Sequence, residues 1–509
     1  MNITLDQIDP GEAWKPWQPS AGDPWGRKWS AHLYRRAAFG PSHDDLLEAE
    51  RLGFQGTLDL LIQGKPHAAE ITETLLDIGR VAALDDELGD QLRGWWLYCM
   101  LQAGHPLREK MTLFWHNHFA TSLAKVRNPS LMFGQNCVLR EDALGRFGPM
   151  LHVVSRDPAM MIWLDSNSNV RGKPNENFAR ELMELFSLGV GHYTEKDVRE
   201  AARAFTGWRT DGVDFRFDAG LHDDGIKTFL TKTGPWDGGD VVRIVLAQPA
   251  AAQFLVRKLY RHFISEKTDP PDSLLEPLCQ SFRKDDYDIA ALVRTILSSR
   301  HFYSSHAFGQ RIKGPLEFVL GAVRAVYRRL DEENPQFRSL PQRLLVPWLD
   351  AMGQRLFEPP NVKGWPGGPS WLNTSTVLTR DNFAEALAMG TLWVSRAPEP
   401  AAAPATVRSK VTEFVTRLTH RPATADLPEQ PAPAYAFDAA RLTVEEGVSR
   451  PDDIVAALLE LYIPGNVRPD VRAKLVSFLA AGHPAGPDLA RRVREAVHAI
   501  LSTAEYQLA

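Results

Sequence analysis

Four short strings concentrate residues able to do acid/base or metal chemistry. The first is Phe114-Trp115-His116-Asn117-His118-Phe119. Two histidines two apart share a face on a strand, but on a helix they point about 200° apart. If Pro106 to about Thr121 is helical, His116 and His118 serve one ion only where the helix ends. The other reading is two buried histidines satisfied by hydrogen bonds.

The second string runs from Asn175 to Phe186. Asn177, Arg180, Glu181 and Glu184 fall on one helical face, with Phe178, Leu182, Leu185 and Phe186 on the apolar one. Two carboxylates at i and i+3 beside an arginine can hold a divalent cation or act as an acid/base pair. A solvated face with an intrahelical ion pair has the same spacing. In the third string, Leu221-His222-Asp223-Asp224-Gly225, His222 and Asp223 sit among turn formers, as loop catalysts or as turn chemistry. The fourth, Pro359 to Asn373, is fixed by Pro and Gly and offers Asn361, Lys363, Trp365, Trp371 and Asn373. Indoles beside amides suit a glycan or peptide; otherwise the tryptophans plug the core.

The catalytic set expected is therefore Arg180, Glu181, Glu184, His222 and Asp223, with His116, His118, Glu181 and Glu184 as metal ligands. Glu181 and Glu184 are expected to face His116 or His118 across two packed helices. A hard, oxygen-rich divalent site of this kind favours Mn, Fe, Zn or Mg over copper. The Gly364–Asn373 loop is expected to line a cleft with Trp365 or Trp371 partly exposed. There is no GxGxxG after a strand, no GxxxxGK[ST], no HExxH and no GxSxG.

Helices must carry most of this. Ser42 caps a helix from His43, and Gly53 stops it. Pro106 and Pro174 suit first turns. Thr194 with Asp197 resembles a capping box for a helix reaching Phe205. Only Val213, Phe215 and Phe217, alternating with charged residues, read as a strand, with Ile226–Leu230 as its return. The fold class is mainly α: a multi-helix body with a small β-hairpin excursion near 213–230. The Pro/Ala-rich stretch 396–440 separates a main helical domain, 27–395, from a C-terminal helical group, 441–509, expected to pack on it. Residues 1–26 are an N-terminal extension.

The 509 residues carry 58 Lys plus Arg against 63 Asp plus Glu, and 44% are apolar. This is globular composition, without the basic excess of a nucleic-acid protein. Three cysteines give no metal or disulfide framework. The opening has no basic start followed by an apolar run, and no stretch of 18 apolar residues follows. These features read as a cytoplasmic chain without a membrane span; export on a partner is the other route left open.

Longer motifs carry a resemblance. HLYRRAAFG from His32, REKMTLFWHNHFATS from Arg108, NENFARELMELFSLGVG from Asn175 and EAARAFTGW from Glu200 resemble the bacterial domain of unknown function 1800 family. RKLYRHF from Arg257, KGPLEFVLGA from Lys313 and PPNVKGWPGGPSWLNTST from Pro359 do so too. The tryptophan-rich opening is similar to planctomycete-type members. The resemblance implies secretion or the cell surface and, as a partner, the alkaline-phosphatase-like domain of unknown function 1501 family. It implies no catalytic residue. Two readings stay open: a metal-dependent or acid/base enzyme acting on a glycan or peptide, and a non-enzymatic scaffold working with that phosphatase-like partner.

Overall fold

The computed structural model describes residues 4–84, 89–102, 104–326, 344–392, 440, 448–463, 465 and 467–509. Nearly all of the Pro/Ala-rich stretch 396–440, including the short helix expected at 407–419, lies outside them. The described chain is mainly α-helical, with two two-stranded antiparallel sheets.

Local chemistry sets many helix starts. The Ser42 hydroxyl accepts from Asp45 N, and the Asp45 carboxylate accepts from Ser42 N. Thr194 and Asp197 make the same reciprocal pair, satisfying amides that no helical carbonyl can reach. Gly53, non-helical at φ 70°, ends the first helix as expected, and a second follows across the kink to Gln63.

The β excursion differs from the expected single hairpin. Strand β1 (Trp208–Thr210) pairs with β2 (Phe215–Phe217), and β3 (Lys227–Phe229) pairs with β4 (Lys232–Gly234). Residues 226–230 thus form their own hairpin instead of returning along 213–217. Its two-residue turn, Leu230-Thr231, has positive φ at both positions. That turn shape normally calls for Asn or Gly, so nothing in the sequence marked it.

Helix faces close two apolar cores. One gathers Trp14, Trp17, Trp29 and Trp115 with the helix Pro249–Phe263. The other joins Trp95, Trp96, Trp365 and Trp371 to the C-terminal helices Pro451–Tyr462 and Pro487–Leu501. Among the described residues, no single helix is long and apolar enough to cross a membrane.

Buried ion pairs tie the long motifs together. Arg140 grips Glu109 through two hydrogen bonds of 2.7 and 3.0 Å, and Trp96 donates to the same carboxylate. Lys110 pairs with Glu317, which also takes Arg311 at 3.2 Å and Gly314 N at 3.1 Å. Arg36 donates to the carbonyls of Ala307 and Ala509, and Arg35 to those of Glu460 and Leu461.

Candidate functional site

The three polar residues at the end of the helix Pro106–His118 part ways. His116 is buried in a box of aromatic rings, with Trp96, Phe357 and Trp365 at 5.2, 5.5 and 5.7 Å. Its Nε2 has no hydrogen-bond partner, and burial drives its pKa down to about 3.

Asn117 turns to the Pro/Gly loop. Its Oδ1 accepts from Trp365 N at 2.6 Å, and its Nδ2 donates to Trp365 O at 3.4 Å. Gly364, at φ 80°, lies so close that a Cβ there would stand 2.2 Å from Asn117 Oδ1. Only glycine fits both the conformation and the gap.

His118 faces the segment Leu182–Ser187, which has widened to a π-helix. Leu188 N donates to Met183 O, five residues back. Such turns recur at functional sites because they shift carbonyls out of the regular ladder. His118 Nε2 donates to Phe186 O at 3.0 Å, which fixes Nδ1 as an acceptor. Lys258 Nζ donates to that Nδ1 at 3.0 Å and to Leu185 O at 3.2 Å. Burial pushes the Lys258 pKa down to about 7 and holds His118 neutral, well below the ordinary imidazole range. Lys258 was not among the residues expected from sequence. Its signal was a lysine four residues after Phe254 on an otherwise apolar stripe.

The carboxylates occupy another side of this segment. Glu181 is half-buried. Burial first, then Glu184, raises its pKa, with Lys363 opposing. Lys363 therefore brings the Pro/Gly loop beside the carboxylate pair. Glu184 accepts from the Tyr193 hydroxyl at 3.0 Å. Arg180 is held by Glu195 at 2.7 Å and Glu176 at 3.0 Å.

The expected four-ligand metal set does not assemble. Both nitrogens of His118 are committed to a carbonyl and a lysine, and His116 is enclosed by rings. Among the described residues, no three His, Cys, Asp or Glu side chains converge on one point. His222 and Asp223 also serve local structure. The His222 ring is buried and donates through Nδ1 to Thr206 O at 2.8 Å. Two hydrogen bonds from Arg203 hold Asp223, taking its pKa down to about 2.

The tryptophans correct a second expectation. Trp365 and Trp371 are 5% and 8% exposed, so neither indole lines a cleft. The loop's Pro and Gly residues fold its backbone over the core so that the rings point inward. Asn373 caps the helix Thr374–Ala388, and Asn361 Oδ1 accepts from Lys363 N within its own turn. Trp365→Ala should cost about 3–5 kcal/mol of stability, the usual result of emptying a buried indole site. Denaturant unfolding checks this; a variant as stable as the parent would return the indole to the surface.

No curated protein and no solved structure matches this chain. A family model described as "Protein of unknown function (DUF1800)" matches residues 32–508. That span takes in Arg35, the histidine helix, the π-helical segment, Lys258 and the Pro/Gly loop, and the chain belongs to the DUF1800 family.

Proposed function

We propose that this protein is an acid/base enzyme in which Lys258, set by His118 and the π-helical segment, is the proton-accepting group. The observation that carries the reading is the geometry at Lys258 Nζ. A neutral amine has two N–H groups and one lone pair. Leu185 O and His118 Nδ1 take the two N–H groups, leaving the lone pair free. An ammonium would bring a third N–H, with no third acceptor in reach among the described residues, and would bear the cost of burying charge. The amine is thus poised near neutrality, where a general base or a nucleophilic lysine is most effective.

Glu181 keeps a proton longer than an ordinary carboxyl does, because burial and Glu184 raise its pKa. Lys363 and the Tyr193–Glu184 pair frame its exposed side. Those hydrogen-bonding groups suit the hydroxyls and amides of a glycan or peptide. Because the four expected ligands do not converge, the reading routes no step through a metal.

Acylation of lysines by a small activated ester, read by mass spectrometry across pH, tests the reading. Lys258 should reach half-maximal labelling near pH 7, well before exposed lysines, which titrate near ~10.4. A Lys258 that never reacts in the folded protein would be a sealed helix cap, and the reading would fail.

A scaffold reading has one observation in its favour. Val213, Phe217 and Ile226 are 69%, 52% and 62% exposed on the β excursion. Exposed apolar side chains along the β excursion suit a protein partner, such as the phosphatase-like one. Changing all three to Ser should abolish co-purification with that partner; unchanged recovery would remove this reading.

A further inference from the structure

A second group of buried charge, among the described residues, involves side chains not used at the π-helical segment. Arg35, Arg36, Lys110, Arg311, Lys313 and Arg380 are all buried. The carboxylates facing them are Glu317 and Glu266, as their mutual electrostatic effects require. Six basic side chains thus face two carboxylates.

Hydrogen bonds do not resolve the excess. Arg36 Nε and Nη1, Arg311 Nε and Arg380 Nε are buried without a partner. Lys313 is 4% exposed, and its ammonium lies 3.5 Å over the Tyr506 ring. Among the described residues no oxygen accepts from that ammonium. Glu317 is fully engaged by Lys110, Arg311 and Gly314 N, so it has nothing left for Lys313.

A small cavity, partly open to solvent, lies at the edge of this group. Its walls include Arg35, Lys313, Tyr462 and Tyr506 together with Glu317 and Ala509, and its volume is about 10 Å³. That is room for one water-sized body. Burying an unpaired cation is costly unless the group gives up its proton, the direction in which burial drives Lys313, or an anion enters the space beside it.

We propose that this cavity is a binding site for a single monatomic anion of chloride size, held between Arg35 and Lys313. The ion would bridge the helix Arg27–Ala37 to the C-terminal helices, because Arg35 also donates to the last carbonyls of Pro451–Tyr462.

The test uses the full chain in sodium gluconate, with chloride or bromide replacing gluconate at constant ionic strength. The melting temperature should rise saturably, by a few degrees, with either halide. In Lys313→Gln the halide response should disappear even if that variant starts from a lower melting temperature. Crystals grown in bromide should show one anomalous peak between Arg35 and Lys313. Equal melting temperatures in gluconate and chloride would overturn the proposal. So would a halide found by anomalous scattering only at the surface, or a response to inorganic phosphate that chloride does not share.

Discussion

Replacing Glu317 by Ala should destabilise the protein by about 3–5 kcal/mol, with chemical denaturation as the measure. Removing one partner from a buried pair leaves the other charge uncompensated, and here two cations lose their carboxylate at once. Lys110 and Arg311 are both buried. Gly314 N would lose its acceptor too. Burial alone would raise the Glu317 pKa, but Arg311 and Lys110 hold it well below the ordinary range. Glu317→Gln keeps the shape and should still be strongly destabilised. The double change Glu317→Gln with Lys110→Met should recover part of the loss, because one orphaned cation goes with it. A Glu317→Ala variant within 1 kcal/mol of the parent would mean the network carries little of the fold.

Acid should unfold this protein well above the range where carboxylates titrate. His32, His105, His116, His118 and His301 are all buried. Burial lowers every one of their pKa values, to about 4 for His105 and His301 and about 3 for His116. In the unfolded chain each takes up a proton near pH 6.5, whereas the folded chain resists until far lower pH. The unfolded state therefore binds more protons across that window, and stability falls as pH falls from about 6.5 towards 4. Each such histidine costs on the order of 2 kcal/mol by pH 5, against a typical total of about 5–15 kcal/mol. Asp157 opposes the trend, since burial raises its pKa to about 6. Glu317 adds to the loss from about pH 4.3 downward, where the unfolded carboxylate takes up its proton and the folded one does not. Far-UV circular dichroism should show cooperative unfolding between about pH 6 and 4, and His116→Phe should move its midpoint down. An acid midpoint below about 3.5, where carboxylates alone titrate, would contradict these environments.

Helix identity was legible because its causes are local. The reciprocal Ser42–Asp45 and Thr194–Asp197 caps and Pro106 in its first turn act within four residues, whereas Pro174 lies ahead of a helix that starts only at Asn177. The site was legible only as a set of strings, because its partners are distant in the chain. Asn117 meets Trp365 across 248 residues, and Lys258 meets His118 across 140. Nothing in a Pro/Gly loop tells which way its indoles point, and that depends on Asn117 fixing the backbone beside Gly364. The histidine and carboxylate strings did converge on the π-helical segment. They meet it on different sides, so the pairing expected of them is taken by Lys258 and two carbonyls. A widened helical turn leaves no mark in apolar periodicity, and the carbonyls it frees could not be foreseen.

The most direct test of the account is the protonation state of Lys258 in the folded protein. With lysine labelled at Cε, its resonance can be assigned by its absence in Lys258→Met and followed by NMR as pH is raised from neutrality. The account predicts a midpoint near 7, with the shift of a neutral amine dominant by pH 8.5, against the ~10.4 of a free lysine side chain. A Lys258 midpoint of 10 or above would mean a charged helix cap, and the proton-accepting role would fall with it.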